Sequence, residues 1–333
     1  MNLEELILNH KVKEALELVH NDKLPPVFIP SYKNRKGTII PNLGDIPGEV
    51  HLFIYEDDRH NYPESFPGNV TVHEIRKEEF DSMGLEWRGI GPKREYMLEF
   101  AKQSNFKHII MIDDDRSLDV WYPDQPRTTS VSNTKKKGSI WDAFKLALKL
   151  VNDYDNWGIV GLAHAEINCA HYTWKKVLKF PAHSVAALML NVETLKDVHY
   201  SQKFGKTILE DLSLDVECYK RDIKTFELPF IASFDNDRSL SMYGNNTIAS
   251  TKEDGYQYRC IMNTYLLYRD YLKFVLTKNS LFTIVPNWKN IEKGIEIVDD
   301  LLHNALYEAC KKGDYQKVYD ILTNGIKNDI DEW

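Results

Sequence analysis

The chain has 333 residues, 43% hydrophobic and 28% charged, with a formal net charge of -8. Those figures suit one large α/β domain with a real core, or a catalytic domain of roughly 250 residues with appended helices. They weigh against general affinity for a polyanion, which the summed field repels, and leave room for a local basic patch.

Residues 3 to 20 carry Leu3, Leu6, Ile7, Val12, Leu16 and Val19 at mostly helical spacing, which predicts one or two short amphipathic helices ended before Pro25-Pro26. Glu4, Glu5 and Glu14 among those leucines differ from the basic region and continuous apolar core of a signal peptide. Strands are expected at Val27 to Pro30, Val50 to Tyr55, Val70 to Ile75 and His108 to Ile112, with a helix from about Pro92 to Gln103 before the fourth. The alternation predicts a mostly parallel sheet with helices on both faces.

Trp121 to Gly138, rich in Pro, Thr, Ser, Asn and Lys, reads as an exposed mobile loop. A helix from about Ile140 to Asn152 follows, then strands near Gly158 to Leu162, Ser184 to Asn191 and Thr225 to Leu228, with a helix from about Leu209 to Arg221 before the last. The end is expected to be helical: Tyr256 to Phe274, Ile291 to Leu302, and a pair within 303 to 325 that resembles a single ankyrin repeat. One repeat cannot bury its own apolar face, so this pair should dock on the main domain or the N-terminal helices, as a stabilising or partner-binding cap. The organisation predicted is therefore N-terminal helices over 1–24, an α/β domain over 25–250 and a helical region over 251–333.

Cys169, Cys218, Cys260 and Cys310 are too widely separated for a zinc cluster and form no paired framework, so reduced thiols in a cytoplasm are expected. Val185 to Val192 is the longest apolar stretch and is too short to span a bilayer, so no membrane partner is expected.

Asp113-Asp114-Asp115 directly follows the apolar strand His108 to Ile112. Three carboxylates at the mouth of a buried strand repel one another unless a cation joins them. They form either a solvated turn or part of a site where one or two of them share a hard divalent ion with a substrate's phosphates. Ligands of open α/β sheets gather at strand C-termini, which favours the ion. If the strand stays extended, Asp113 and Asp115 point to one face and Asp114 elsewhere, towards sugar hydroxyls or solvent.

Three further segments share that end of the expected sheet. The first strand closes in Pro30-Ser31-Tyr32-Lys33-Asn34-Arg35, the second in Tyr55-Glu56-Asp57-Asp58, and Gly89-Ile90-Gly91-Pro92-Lys93-Arg94 opens a helix. Each alone is ordinary capping or a solvated charge run. Their order, ending in Asp-Asp-Asp, resembles glycosyltransferases of the GT-A (Rossmann-like) fold. More narrowly it resembles those associated with TET/JBP-type base hydroxylases in phages and kinetoplastids, over roughly residues 25 to 240.

The resemblance implies a nucleotide-sugar site. Pro30, Ser31, Tyr32 and Arg35 would line the uracil and ribose pocket, and Glu56 would accept hydrogen bonds from the nucleotide. Gly91, Lys93 and Arg94 would meet the diphosphate at a helix N-terminus, where main-chain N-H groups add to the attraction. Asp113 would serve the ribose and, with Asp115, hold Mn2+ or Mg2+, while Asp114 sits beside the sugar. Asp211, with Glu210 as second choice, would be the catalytic base of an inverting transfer, although acids in a first helical turn also simply suit the helix dipole. Asp235 or Asp237 is a candidate third metal ligand, in a segment equally suited to a turn.

On the acceptor side, Arg127 with Lys135, Lys136 and Lys137, and Trp174 with Lys175, Lys176 and Lys179, are the candidate contacts to double-stranded DNA carrying a modified pyrimidine. The expected function is transfer of a sugar from a UDP-sugar to that base. Alternatives are a glycan, lipid-linked or protein acceptor, or a non-enzymatic interaction module.

Overall fold

The computed structural model describes residues 2–33, 39–87, 89–123, 135–164, 175–183, 187–200, 209–235, 256–276, 282–288, 291 and 301–330. Nine strands form one sheet: β1 (Val27–Pro30), β2 (Val50–Tyr55), β3 (Val70–Ile75), β4 (His108–Ile112), β5 (Arg116–Pro123), β6 (Lys135–Ser139), β7 (Trp157–His164), β8 (Ala187–Asn191) and β9 (Lys224–Asp235). Their order is β3-β2-β1-β4-β8-β7-β9-β5-β6. Pairing is parallel across β3-β2-β1-β4 and between β7 and β9, and antiparallel at the other contacts, so only β8 and β5 oppose the common direction. The α/β class and mixed sheet expected from the sequence are present, and the first four strands keep the expected limits.

Alternation along the strands builds a core on each face. Val27 and Ile29, Ile110 and Ile112, and Ala187 and Met189 share one core with α1 (Leu3–Leu8), α2 (Val12–Val19) and α5 (Ile140–Val151). Phe28, Ile109, Met111, Leu188 and Leu190 pack on the other face against α3 (Lys77–Ser82), α4 (Ile90–Gln103) and part of α6 (Glu210–Tyr219). Each such fully buried side chain contributes about 1.5–3 kcal/mol relative to exposure. The N-terminal helices are tied down by Lys145 Nζ, which donates to the His20 carbonyl, and by His20 Nδ1, 3.0 Å from Asp142.

Two expectations are corrected. The segment read as a loop carries strand at both ends: Trp121, Tyr122 and Pro123 pair with Lys137, Lys136 and Lys135, and the stretch between lies outside the described residues. Lysine-rich composition hides β6 because it is the edge of the sheet, where charged side chains deter further pairing. Gly138 suits that place, since a Cβ would stand 3.0 Å from the Tyr122 ring and 3.3 Å from Leu16, which would have to give way.

The C-terminal region is not wholly helical. After α7 (Tyr256–Tyr268) comes an antiparallel hairpin, β10 (Leu272–Val275) with β11 (Thr283–Pro286), and then α8 (Leu301–Lys311) and α9 (Tyr315–Ile330). Cross-strand pairing overrides the helical spacing that ran on to Phe274. These elements form a third core around Tyr265, Phe282 and Val318, and Leu212 and Val216 of α6 belong to it, whereas Leu214 and Cys218 of the same helix belong to the core on the sheet. The terminal pair thus docks on its neighbours, as a lone repeat must.

On β2 and β3, His51 Nδ1 lies 2.8 Å from His73 Nε2, and His51 Nε2 lies 2.9 Å from Glu49. His51 therefore donates to Glu49 and accepts from His73, an arrangement that a second proton would break. Burial and then the His51 charge lower His73 from 6.5 to about 4, and burial followed by Lys107 lowers His108 from 6.5 to about 4. Their native forms bind protons less readily than the unfolded chain, so their contribution is complete above pH 6.5 and is lost as pH falls towards 4. Thermal melts should show the midpoint falling across that window, and His73→Gln, which keeps a donor but cannot titrate, should flatten the fall.

Candidate functional site

The site is organised by the start of α4. Gly89, the N-cap, has φ +118°, open to glycine alone without strain, and its carbonyl accepts from Tyr55 Oη at 3.0 Å. Successive helical residues differ by about 100° in direction, so Lys93 and Arg94 diverge. Lys93 turns inward, donating to the Ser31 carbonyl at 2.5 Å with its ammonium 3.9 Å from the Tyr55 ring centroid. These contacts brace α4 against the ends of β1 and β2, and the residue is buried.

Arg94 joins two distant parts of the chain. Its Nη2 donates to both oxygens of Asp113, at 2.8 and 3.0 Å, while Nη1 donates to Glu210 at 2.9 Å and to Asp211. The guanidinium is 3% exposed and Asp113 and Asp211 are 20% and 16% exposed, so the cluster lies just beneath the surface. Burial acts to discharge Arg94, but Asp113, Asp211 and Glu210 outweigh it and hold the guanidinium charged. Burial, then Asp211, pushes Glu210 up to about 8, and burial raises Asp211 against the pull of Arg94. Glu210 is thus biased towards its protonated form at neutral pH. Tyr200 is buried alongside, its ionisation suppressed by burial.

The three aspartates do not continue the strand. β4 ends at Ile112, and the Arg116 N-H donates to the Asp113 carbonyl at 3.2 Å, closing a turn. Asp113 and Asp115 therefore do not share a face of an extended strand as expected, because the Asp-rich sequence makes a turn instead. Asp114 is fully buried rather than solvated, accepting from Ser31 Oγ at 2.6 Å, and Tyr62 Oη donates to Ser31 Oγ at 2.8 Å. Asp115 is half-buried in the turn.

Other expected residues take these places. Pro30 ends β1, Tyr32 is half-buried against the second core, and Gly91 is buried in the first turn of α4. Glu56 is exposed and accepts from the Lys77 N-H at 3.2 Å, at the start of α3. Arg35, Arg127, Trp174 and Asp237 lie outside the described residues, and only the backbone of Asp235 is described, paired with Arg116. Lys175, Lys176 and Lys179 are exposed. On β6, alternation sends Lys135 and Lys137 to one face and Lys136 to the other, so the three lysines are not one patch. Lys137 reaches Asp119 at 3.4 Å.

The structure adds groups that no sequence motif marked. Arg116 is buried and its charge acts on Asp211. His183 Nδ1 lies 2.5 Å from Asp215, one turn beyond Asp211 on α6. Glu95, Glu99 and His199 form the group among the described residues whose ligand atoms, within 4.8 Å of one another, suit a metal. There, however, Glu95 accepts from the Tyr200 N-H at 2.6 Å and Glu99 from Lys102 at 2.6 Å.

Replacing Arg94 by Leu leaves Asp113 and Asp211 without their buried cation, at a cost of about 3–5 kcal/mol for a broken buried pair. Urea unfolding at pH 7 should report that loss, smaller at pH 5 where the acids can protonate, and smaller again for Arg94→Lys, which keeps the charge.

No curated protein matches the chain. Two solved structures of glucosyl-3-phosphoglycerate synthase from Mycobacterium tuberculosis, in complex with phosphoglyceric acid and with UDP, align over 82% of this chain and 90% of theirs. Their identities are 11% and 10% and their TM-scores 0.42 and 0.41, too distant to bear on this chain's chemistry. The family model described as TET-Associated Glycosyltransferase matches residues 25–239, which span β1 to β9 and every member of the Arg94 cluster. The chain belongs to the TET-associated glycosyltransferase family.

Proposed function

We infer that this glycosyltransferase moves a sugar from a UDP-sugar to the hydroxyl of a modified pyrimidine, 5-hydroxy or 5-hydroxymethyl, in double-stranded DNA, with inversion. The observation that carries the reading is the Arg94 cluster, which brings the aspartate turn after β4 and the acidic head of α6 to one guanidinium. A nucleotide-sugar enzyme needs just such a meeting of a phosphate-side and an acceptor-side element.

Asp115 in its turn and Asp113 at the rim offer hard carboxylate oxygens, the donor class of magnesium and manganese. Both Asp113 oxygens face Arg94, yet each keeps lone-pair capacity, so the donor set fits a divalent ion. Such an ion supplies positive charge to the diphosphate as it leaves. Arg94 does the same from the protein side, assisted by the N-H groups at the start of α4. A diphosphate would compete with Asp211 for Arg94. Asp211, with Glu210 beside it, is the carboxylate that the family resemblance offers as proton acceptor.

Nucleosides from hydroxymethylated DNA incubated with the protein, a divalent ion and mixed nucleotide sugars should gain the mass of one sugar. Gain only on a glycan, lipid-linked or protein acceptor would reassign the acceptor. Asp115→Ala should stay folded by circular dichroism, lose metal-dependent UDP binding and lower turnover by about 100-fold or more.

DNA contact on an acidic chain has to be local, and the shared face of Lys135 and Lys137 is a described candidate beside the exposed Lys175, Lys176 and Lys179. Changing both to Gln should lower the slope of log binding constant against log salt by about 2 units, near 0.9 for each phosphate contact, while Lys136→Gln changes it less.

A further inference from the structure

His183 stands on a peptide that is held from two sides. The Ala182 carbonyl accepts from Tyr219 Oη and from Thr225 Oγ1, each at 2.6 Å, and the Ala182 N-H donates to Thr225 Oγ1 at 3.4 Å. The imidazole that follows donates through Nδ1 to Asp215, which is 1% exposed, whereas His183 itself is 31% exposed. Asp215 lies four residues after Asp211, so both project from one face of α6. The charges of His183 and Asp211 act on each other. A buried carboxylate on Nδ1 fixes the tautomer that leaves the Nε2 lone pair outward, and among the described residues Nε2 makes no hydrogen bond.

We propose that His183, oriented by Asp215, is the proton acceptor of the transfer. The inference rests on the glycosyl-transfer reading. Asp211 is bound to Arg94 in the described structure, while His183 keeps an open basic nitrogen beside it. In the step, the acceptor O-H bond breaks and its proton goes to Nε2. The oxygen forms a bond to the anomeric carbon, and the bond from that carbon to the diphosphate oxygen breaks, the electron pair leaving with the nucleoside diphosphate. Asp215 and Asp211 from α6 and Glu227 from β9, itself 3.3 Å from Lys179, stabilise the imidazolium that results. Burial opposes that charge, but the three acids outweigh it and raise His183 above 6.5. The basic form therefore accumulates as pH rises through that raised value.

The test compares wild type, His183→Gln, Asp215→Asn and Asp211→Asn across pH, reading kcat/KM for transfer, with thermal melts confirming that each variant folds. His183→Gln should lose about 100-fold or more in kcat/KM and the rising limb of the profile. Asp215→Asn should move that limb to lower pH, because an acid that raises His183 is gone. A limb that persists in His183→Gln, or vanishes only in Asp211→Asn, overturns the assignment and gives the role to Asp211. A wild type that turns over no nucleotide sugar overturns the glycosyl-transfer reading itself.

Discussion

A guanidinium withdrawn from water is costly unless carboxylates surround it, and carboxylates withdrawn together are costly unless a cation joins them. Arg94 and its three acids meet both conditions at once, across 116 residues of sequence between Arg94 and Glu210. The head of α4, the turn after β4 and the head of α6 can satisfy their charges only by meeting at this point. Broken in one place, the arrangement leaves an uncompensated buried charge in another. Pairing of this kind specifies position more than it adds stability, since apolar packing of similar volume often does as well.

Around that point the remaining contacts hold neighbouring strands in place. Tyr55 fixes the N-cap of α4, Lys93 ties α4 to the end of β1, and the Tyr62-Ser31-Asp114 chain ties the end of β1 to the aspartate turn. Every one of these links is a hydrogen bond in a dry setting, where loss of a partner exposes the full desolvation cost of the other. Two chemistries, the Arg94 cluster and the His183-Asp215 pair, stand on adjacent turns of α6.

How far the chain could be read before folding depended on whether a segment's neighbours were local. The parallel strands were plain, because runs such as Val50 to Tyr55 and His108 to Ile112 are apolar on both faces and bounded by turn residues. The Asp triplet and the Gly-Ile-Gly-Pro-Lys-Arg segment marked the right end of the sheet. Their partners were not legible. Arg94 looked made for phosphate and is bound to acids, Lys93 looked like its helper and is buried, and Asp114, expected towards the sugar or solvent, lies in the interior. His183 has no motif around it, and its only hint was an aspartate one helical turn after Asp211. β6 was hidden because edge strands are written in lysine and glycine rather than in apolar alternation.

Helix α6 gives one side to the sheet through Leu214 and Cys218 and the other to the C-terminal elements through Leu212 and Val216. The family likeness stops at residue 239, short of α7, the hairpin and the last two helices. A chain cut at residue 239 would leave one flank of the acid-bearing helix wet. The matched segment and the unit that covers α6 are therefore not the same length, and grafting this chemistry onto another scaffold means carrying the tail along with it.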